Sequence, residues 1–193
     1  MLQVILDVET KKTFEEVGGF FPDRLGISFV GVCVRDNWGQ GEMKGFFEPD
    51  LPHLFPLLEQ ADVVIGFNID GFDMQTFLPY YKGDVLAIPT LDILTRIKES
   101  AGHRISLDTV AKDTLGVGKS GDGLDAILYY RNGQLDKLRD YCLQDVAVTR
   151  DVYDYGLKTG TVKFKNKWNR LIETKVDFSF TPKKNAGVQM SLL

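Results

Sequence analysis

The sequence predicts an α/β fold in which helices flank a central mixed β-sheet, with a β-hairpin added towards the C-terminal end. Three observations lead there. A short apolar run opens the chain; strand-like runs then give way to strand and helix in alternation; and a long late helix is followed by two short stretches of period two. A chain of 193 residues, 44% of them hydrophobic, is long enough for one well-cored domain. The expected division is a domain over residues 1–180 and a flexible tail over 181–193.

Residues 2–9 hold the β-branched Val4, Ile5 and Val8 in a run too short for a helix and closed by ThrLysLys, which predicts a buried, central strand. Leu25–Val34 and Gly41–Phe47 follow as strands around the turn-rich AspAsnTrpGly at 36–39, forming a meander. Leu51–Gln60 has helical spacing at Leu54, Leu57 and Leu58 behind a proline-containing start, and Asp62–Phe67 returns to a buried strand. Met74–Tyr81 reads as a helix, Val85–Ile88 as a short strand, and Ile93–Glu99 as a helix. Ser106–Leu115 is a further helix with Ser106 as N-cap, and the longest runs from about Leu135 to about Tyr155. Val162 and Phe164, then Ile172, Thr174, Val176 and Phe178, alternate with polar residues, which predicts a hairpin around AsnLysTrpAsn. From Thr181 the composition turns to that of a disordered tail.

The net charge of −4 argues against a protein that merely coats nucleic acid. It hides an asymmetry: from Lys158 onward eight bases face only Glu173 and Asp177, about +6, leaving about −10 on the rest. An acidic body that holds cations and a basic end that meets phosphates would fit. Two cysteines make neither a disulfide framework nor a zinc knuckle and suit a reducing compartment. With no apolar run near the length of a membrane span and no leader-like start, the expectation is a soluble, cytoplasmic protein with no membrane partner.

Some carboxylates stand where apolar residues belong. Asp7 and Glu9, two apart on a strand, project from one face, and such a pair is costly unless a cation or proton intervenes. A solvated strand end is the plainer alternative. In the long helix the apolar stripe of Leu138, Tyr141, Cys142, Thr149 and Val152 is interrupted by Asp145, with Tyr141 one turn earlier on the same face. A core Asp with a local partner is the alternative there. Asp73 follows a strand end and a polar turn, at the edge where open α/β sheets place ligands, and is preferred over Asp70; an N-capping role would also explain it. Together the loci match two hard divalent cations, and oxygen-only ligands select Mg²⁺ or Mn²⁺.

These residues resemble the DEDD superfamily of 3′-to-5′ exonucleases, with a ribonuclease H-like fold, which includes the proofreading domains of DNA polymerases; Ser106–Phe164 further resembles its stand-alone or helicase-associated members in bacteria and archaea. LeuAspValGluThr at 6–10 is similar to its first motif, AsnIleAspGlyPheAsp at 68–73 to its second through Asn68, Phe72 and Asp73, and TyrCysLeuGlnAsp at 141–145 to the tyrosine form of its third. The histidine form would need His where Asp140 stands. The resemblance implies two-metal phosphodiester hydrolysis, with Asp7, Glu9 and Asp145 on the catalytic metal and Asp7 bridging to a second that Asp73 supports. Tyr141 would orient the attacking water. Single-stranded DNA or frayed 3′ ends, in DNA repair or replication, would be the substrate, with RNA the alternative, met by Thr10, Phe14, Asn68 and Phe72, with Phe20 and Phe21 as further candidates for base stacking.

GlyValGlyLysSer at 116–120 is rejected as a triphosphate loop because Asp113 stands where the pattern needs Gly, although Lys119 remains a candidate phosphate contact. His53 and His103 suggest no site. Gln189, Met190, Ser191, Leu192 and Leu193 resemble the peptide by which bacterial replication and repair enzymes bind the sliding clamp, on a tail that would tether the body. The competing readings are an exoribonuclease, an internally cutting nuclease, and a nucleic-acid or clamp-binding module without catalysis.

Overall fold

The structure is a computed structural model that describes residues 1–37, 39–118 and 123–181. Strand β1 (Leu2–Thr10) lies at the centre of a five-stranded sheet. It pairs antiparallel with β2 (Ile27–Asp36), which pairs antiparallel with β3 (Glu42–Phe47). On its other side β1 runs parallel to β4 (Val63–Gly66), and β4 to β5 (Thr90–Asp92). The sheet is therefore mixed, in the order β3-β2-β1-β4-β5.

Period-two alternation divides β1 between two cores. Val4, Leu6 and Val8 pack with Leu51, Leu54, Phe55 and Leu58 of α1 (Leu51–Gln60) and with Met74 of the single-turn helix α2 (Asp73–Thr76). Ile5 faces the opposite core, built from Ile93 and Ile97 of α3 (Ile93–Ala101), Val110 and Ala111 of α4 (Leu107–Leu115), and Val146, Val152 and Tyr153 of α6 (Leu135–Thr159). Helix α6 presses closely on the sheet at Gly31: a Cβ there would meet Cys142 Sγ and Val146 Cγ2, each at 3.0 Å. Helix α5 (Gly123–Arg131) covers the N-terminal half of α6, where Ala126, Leu138, Tyr141 and Cys142 share a cluster with Phe29.

A two-stranded hairpin, β6 (Thr161–Lys165) with β7 (Leu171–Lys175), completes the second core through Val162, Phe164, Val176 and Phe178. Tyr153 and Phe178 stack at 6.0 Å between ring centroids, and Gly156 makes room for the Phe178 ring.

Three sequence expectations need correction. Only one helical turn forms within Met74–Tyr81, because the chain goes on through turns that bury Phe77. Val85–Ala87 is a 3-10 turn capped by Asp84, and the strand comes later, at Thr90–Asp92. Helix α5 was not expected at all: Leu124 and Leu128 stay exposed, so its sequence has no clean apolar stripe. Ser106 does cap α4, accepting from Thr109 N at 3.2 Å. The tail from residue 182 lies outside the described residues. Among the described residues no helix is long and apolar enough to cross a membrane.

Arg35 ties the sheet to α6. Its side chain is 1% exposed, donates to both Asp154 carboxylate oxygens at 2.6 and 2.9 Å, and gives its Nε–H to Gln3 Oε1 at 2.8 Å. Removing the anion strands a buried cation, so Asp154→Ala is expected to lower stability by about 3 kcal/mol, read by urea unfolding. A loss below about 0.5 kcal/mol, the scale of surface pairs, would show that Arg35 finds other partners.

Candidate metal centre

The face of β1 that carries Gln3 and Ile5 ends in Asp7 and Glu9, both turned towards α6. One ligand oxygen from each and Cys142 Sγ lie within 4.8 Å of one another. Asp145, 2% exposed and one turn further along α6, lines the same cleft of about 400 Å³ as Asp7 and Glu9. The cleft is walled by Thr10, Thr13, Phe14, Leu25 and Phe72 and closed by Gly123, Leu124 and Ile127 of α5. Three of the four expected carboxylates thus share one hollow, and the helix missing from the sequence reading forms a wall of it.

Asp73, buried at the start of α2, sits behind these groups. It accepts from Val8 N at 3.0 Å, fixing it against β1 between Asp7 and Glu9. Burial and then the Asp7 charge push its carboxyl well above the ordinary range. Asp70 turns elsewhere and takes a hydrogen bond from Thr90 Oγ1 at 2.6 Å. Tyr141 lies in the apolar cluster under α5, its ring edge-on to Tyr129 at 6.4 Å, rather than among the residues lining the cleft.

Cys142 is the member that sequence reasoning missed. The stripe of α6 placed it on the buried face, but its proximity to Asp7 depends on the Gly31 contact, which no local pattern shows. Its thiol donates to Asp7 Oδ2 at 3.5 Å. Burial, followed by the charges of Asp7 and Glu9, pushes this thiol far up, so it stays protonated. Asp73 and Cys142 come from different elements and respond to the same local excess of negative charge. That excess, with a donor set rich in carboxylate oxygen, fits divalent cations.

The second motif divides. Phe72 lines the cleft, edge-on to Phe14 at 6.0 Å, and Phe14 stacks on Phe20 at 4.6 Å. Asn68 instead lines a separate hollow with Phe67, Leu94 and Arg104. Its backbone takes a φ of +68°, its N–H goes to Asp92 Oδ1 at 2.9 Å, and its Oδ1 accepts from Arg104 at 2.9 Å. Asp92, also missed, caps α3 and holds this turn through the N–H groups of Thr95, Asn68 and Asp70. Thr10 gives its hydroxyl to Lys12 O at 3.1 Å, and Phe21 lies under the Arg24 guanidinium at 4.2 Å. Lys119 and the peptide Gln189–Leu193 lie outside the described residues.

The loop bearing Phe14 is strapped to α5. Arg131 donates to both Glu16 oxygens at 2.7 and 2.8 Å and to Lys11 O at 3.0 Å, while Thr13 N donates to Glu16 Oε2 at 2.8 Å.

Residues 4–156 match the family model described as the RNase_H superfamily. Among solved structures, the family B DNA polymerase of the hyperthermophilic archaeon Pyrobaculum calidifontis is similar at 17% identity with a TM-score of 0.62, over 81% of this chain and 24% of that one. The zinc-bound E. coli ExoI complex with single-stranded DNA is similar at 14% identity with a TM-score of 0.47, over 82% of this chain and 41% of that one. A product-bound exonuclease I follows at 15% identity and 0.45, over 81% and 43%. The chain therefore spans less than half of each of these proteins. No curated protein sequence matches it.

Two predictions follow from this geometry. Both thiols are fully buried and raised by burial, so a thiol reagent at pH 8 should leave Cys33 and Cys142 unmodified until denaturant is added; rapid reaction of the native protein would contradict the packing around Asp7. Hydrogen bonds from Arg131, then from Thr13 N, lower the Glu16 carboxyl from 4.5 to about 2. The stability linked to this group is present above pH 4.5 and is lost as pH falls through about 2. Carbon NMR titration should show the depressed value, and Arg131→Ala should move it back towards 4.5.

Proposed function

The chain belongs to the RNase H superfamily, and from that membership we propose that it is a metal-dependent 3′-to-5′ exonuclease acting on single-stranded DNA or frayed 3′ ends. The observation that supports this most directly is the convergence of Asp7 and Glu9 from β1 with Asp145 from α6 on one cleft, with buried Asp73 behind them. Anions crowded at such low exposure serve no purpose in a passive docking surface.

Asp7, Glu9, Asp145 and Asp73 would hold two divalent cations, Mg²⁺ or Mn²⁺. When bound, such ions lower the pKa of an attacking water and stabilise the departing 3′ oxygen. The remaining tasks fall to the chain itself. Val8 N and the Cys142 thiol fix the rotamers of Asp73 and Asp7, so the carboxylates are aimed before substrate arrives. By the motif resemblance Tyr141, one turn ahead of Asp145, would orient water, a role that requires its hydroxyl to reach the cleft from the cluster under α5. Phe14, stacked with Phe20 and braced edge-on by Phe72, offers a flat apolar surface to a terminal base. A cleft of about 400 Å³ bounded by that ring and α5 suits an unpaired strand better than a duplex. Direction of attack and the choice of DNA follow from the resemblance of the three motifs to proofreading exonucleases. The clamp-like peptide at 189–193 supports placing the activity in DNA repair or replication, in the cytoplasm.

Digestion of a 5′-labelled single strand in Mg²⁺ or Mn²⁺ should give a ladder shortening from the 3′ end and mononucleotide products. Asp7→Ala should slow it by more than about a hundredfold, the upper range for losing even an indirect metal contact. A ladder that survives this substitution removes the proposed centre. Oligonucleotide products would point to internal cutting, and faster decay of a matched RNA strand to an exoribonuclease.

A further inference from the structure

The outer face of the C-terminal hairpin has no part in the cleft. In β6 and β7 the inward residues are Val162, Phe164, Ile172 and Thr174; the outward ones pair across the ladder as Thr161 with Lys175, Lys163 with Glu173, and Lys165 with Leu171. Lys167 and Arg170 flank the tip. Five cations and a single anion therefore share one solvent face and its turn, on a chain whose net charge is −4.

At the tip Trp168 is 69% exposed, with Lys167 Nζ over its ring at 4.5 Å. A folded chain gains by burying an indole, so holding one outward calls for a reason. Fraying does not supply it. Asn166 Oδ1 accepts from the N–H of both Trp168 and Arg170 at 3.0 and 3.1 Å, and Asn169 closes the turn at a φ of +56°. The hairpin is also fixed to α4: Thr114 Oγ1 donates to Lys163 O at 3.0 Å and accepts from its N–H at 2.9 Å, and Lys165 N donates to Asp113 Oδ2 at 2.6 Å. A rigid platform thus presents one aromatic face among cations.

We infer that this hairpin face is a second binding site for single-stranded DNA, with a base stacked on Trp168 and phosphates on Lys163, Lys165, Lys167, Arg170 and Lys175. The chemistry is that of sequence-tolerant strand binding, in which aromatic stacking and backbone neutralisation act together. The choice of DNA rests on the exonuclease reading; the existence of a stacking and phosphate site does not. The hairpin would hold strand distant from the 3′ end while the cleft takes the end itself, so its effect depends on strand length.

The test uses the full chain and fluorescein-labelled oligothymidylates of 20 and 3 nucleotides, followed by anisotropy in EDTA. Trp168→Ala should weaken binding of the 20-mer about tenfold, the size of one lost stack, and leave the 3-mer unchanged. Trp168→Tyr should restore most of the affinity. Paired Lys165→Glu and Lys167→Glu should reduce the salt slope by about 0.7 for each lost phosphate contact. Since all three side chains are exposed, thermal melting is expected to be unchanged; if one variant fails to fold, the other decides. Equal 20-mer affinity in wild type and a folded variant overturns the site, and tighter binding of a uridylate 20-mer overturns the choice of DNA. Cleavage of a p-nitrophenyl ester of thymidine 5′-monophosphate in Mn²⁺ separates the two readings. Wild type inactive on it but binding through Trp168 would sink the exonuclease and keep the platform; activity with no Trp168 effect would do the reverse.

Discussion

The contact on which the rest depends is the close approach of α6 to β2 at Gly31. Gly31 is the register partner of Asp7, so a place where the helix packs closely on the sheet is also where the first carboxylate stands. A Cβ at that position would press on Cys142 Sγ, Val146 Cγ2 and Leu143 Cδ2 at 3.0–3.3 Å, on the face of α6 that carries Asp145. The fold then has to resist the repulsion it has created. It does so by making β1 central, with ladders to β2 and β4 on its two edges, and by clamping Asp73 to Val8 N. Burial keeps the field strong: Asp73 and Cys142 are both pushed towards their neutral forms by burial and by the carboxylates beside them. A site that raises a carboxyl and a thiol together is one in which a cation has much to gain.

Much of this was legible from local pattern. Two residues of spacing put Asp7 and Glu9 on one face of β1, and an interrupted apolar stripe marked Asp145, because both periodicities are properties of the backbone alone. The features that escaped depend on tertiary packing. Helix α5 buries Ala126 and Ile127 and exposes Leu124 and Leu128, so its amphipathicity is faint, and its place is set by the aromatic cluster around Tyr141. The apolar spacing of Met74–Tyr81 belongs to a turn that packs Phe77, not to a continuing helix. Strand β5 is only three residues long, and its Asp92 reads as a polar break although it organises the turn at Asn68. Asn68 itself matched a motif, yet its left-handed backbone sends the side chain to Arg104, away from the cleft.

The cleft has one wall of regular elements and one formed by a loop. Carboxylates sit on β1 and α6, deep in the packing, whereas Phe14 and Phe20 ride on the loop after β1 and are held by the exposed Arg131 to Glu16 pair. An exposed ion pair adds little to global stability. Its value lies in direction, since both Glu16 oxygens and Lys11 O converge on one guanidinium and set where the loop crosses α5. On the proposed reading, the carboxylates that would hold metal are the deeply packed groups, and the rings that would meet bases are the ones carried on the loop.

The hairpin extends the same division of labour to the far side of α4. Its inner face is continuous with the core that also contains Ile5 and Val146, so the platform cannot shift without disturbing the helix that carries Asp145. Asp113, the residue that spoils a triphosphate loop at 113–120, is occupied in holding Lys165 N, and Thr114 doubles that attachment. The Asp that departs from one phosphate-binding pattern thus holds the strand that presents a different set of cations. If both proposals hold, the basic end and the acidic body divide the work: anions are concentrated where divalent cations would be held, and cations where phosphates would run.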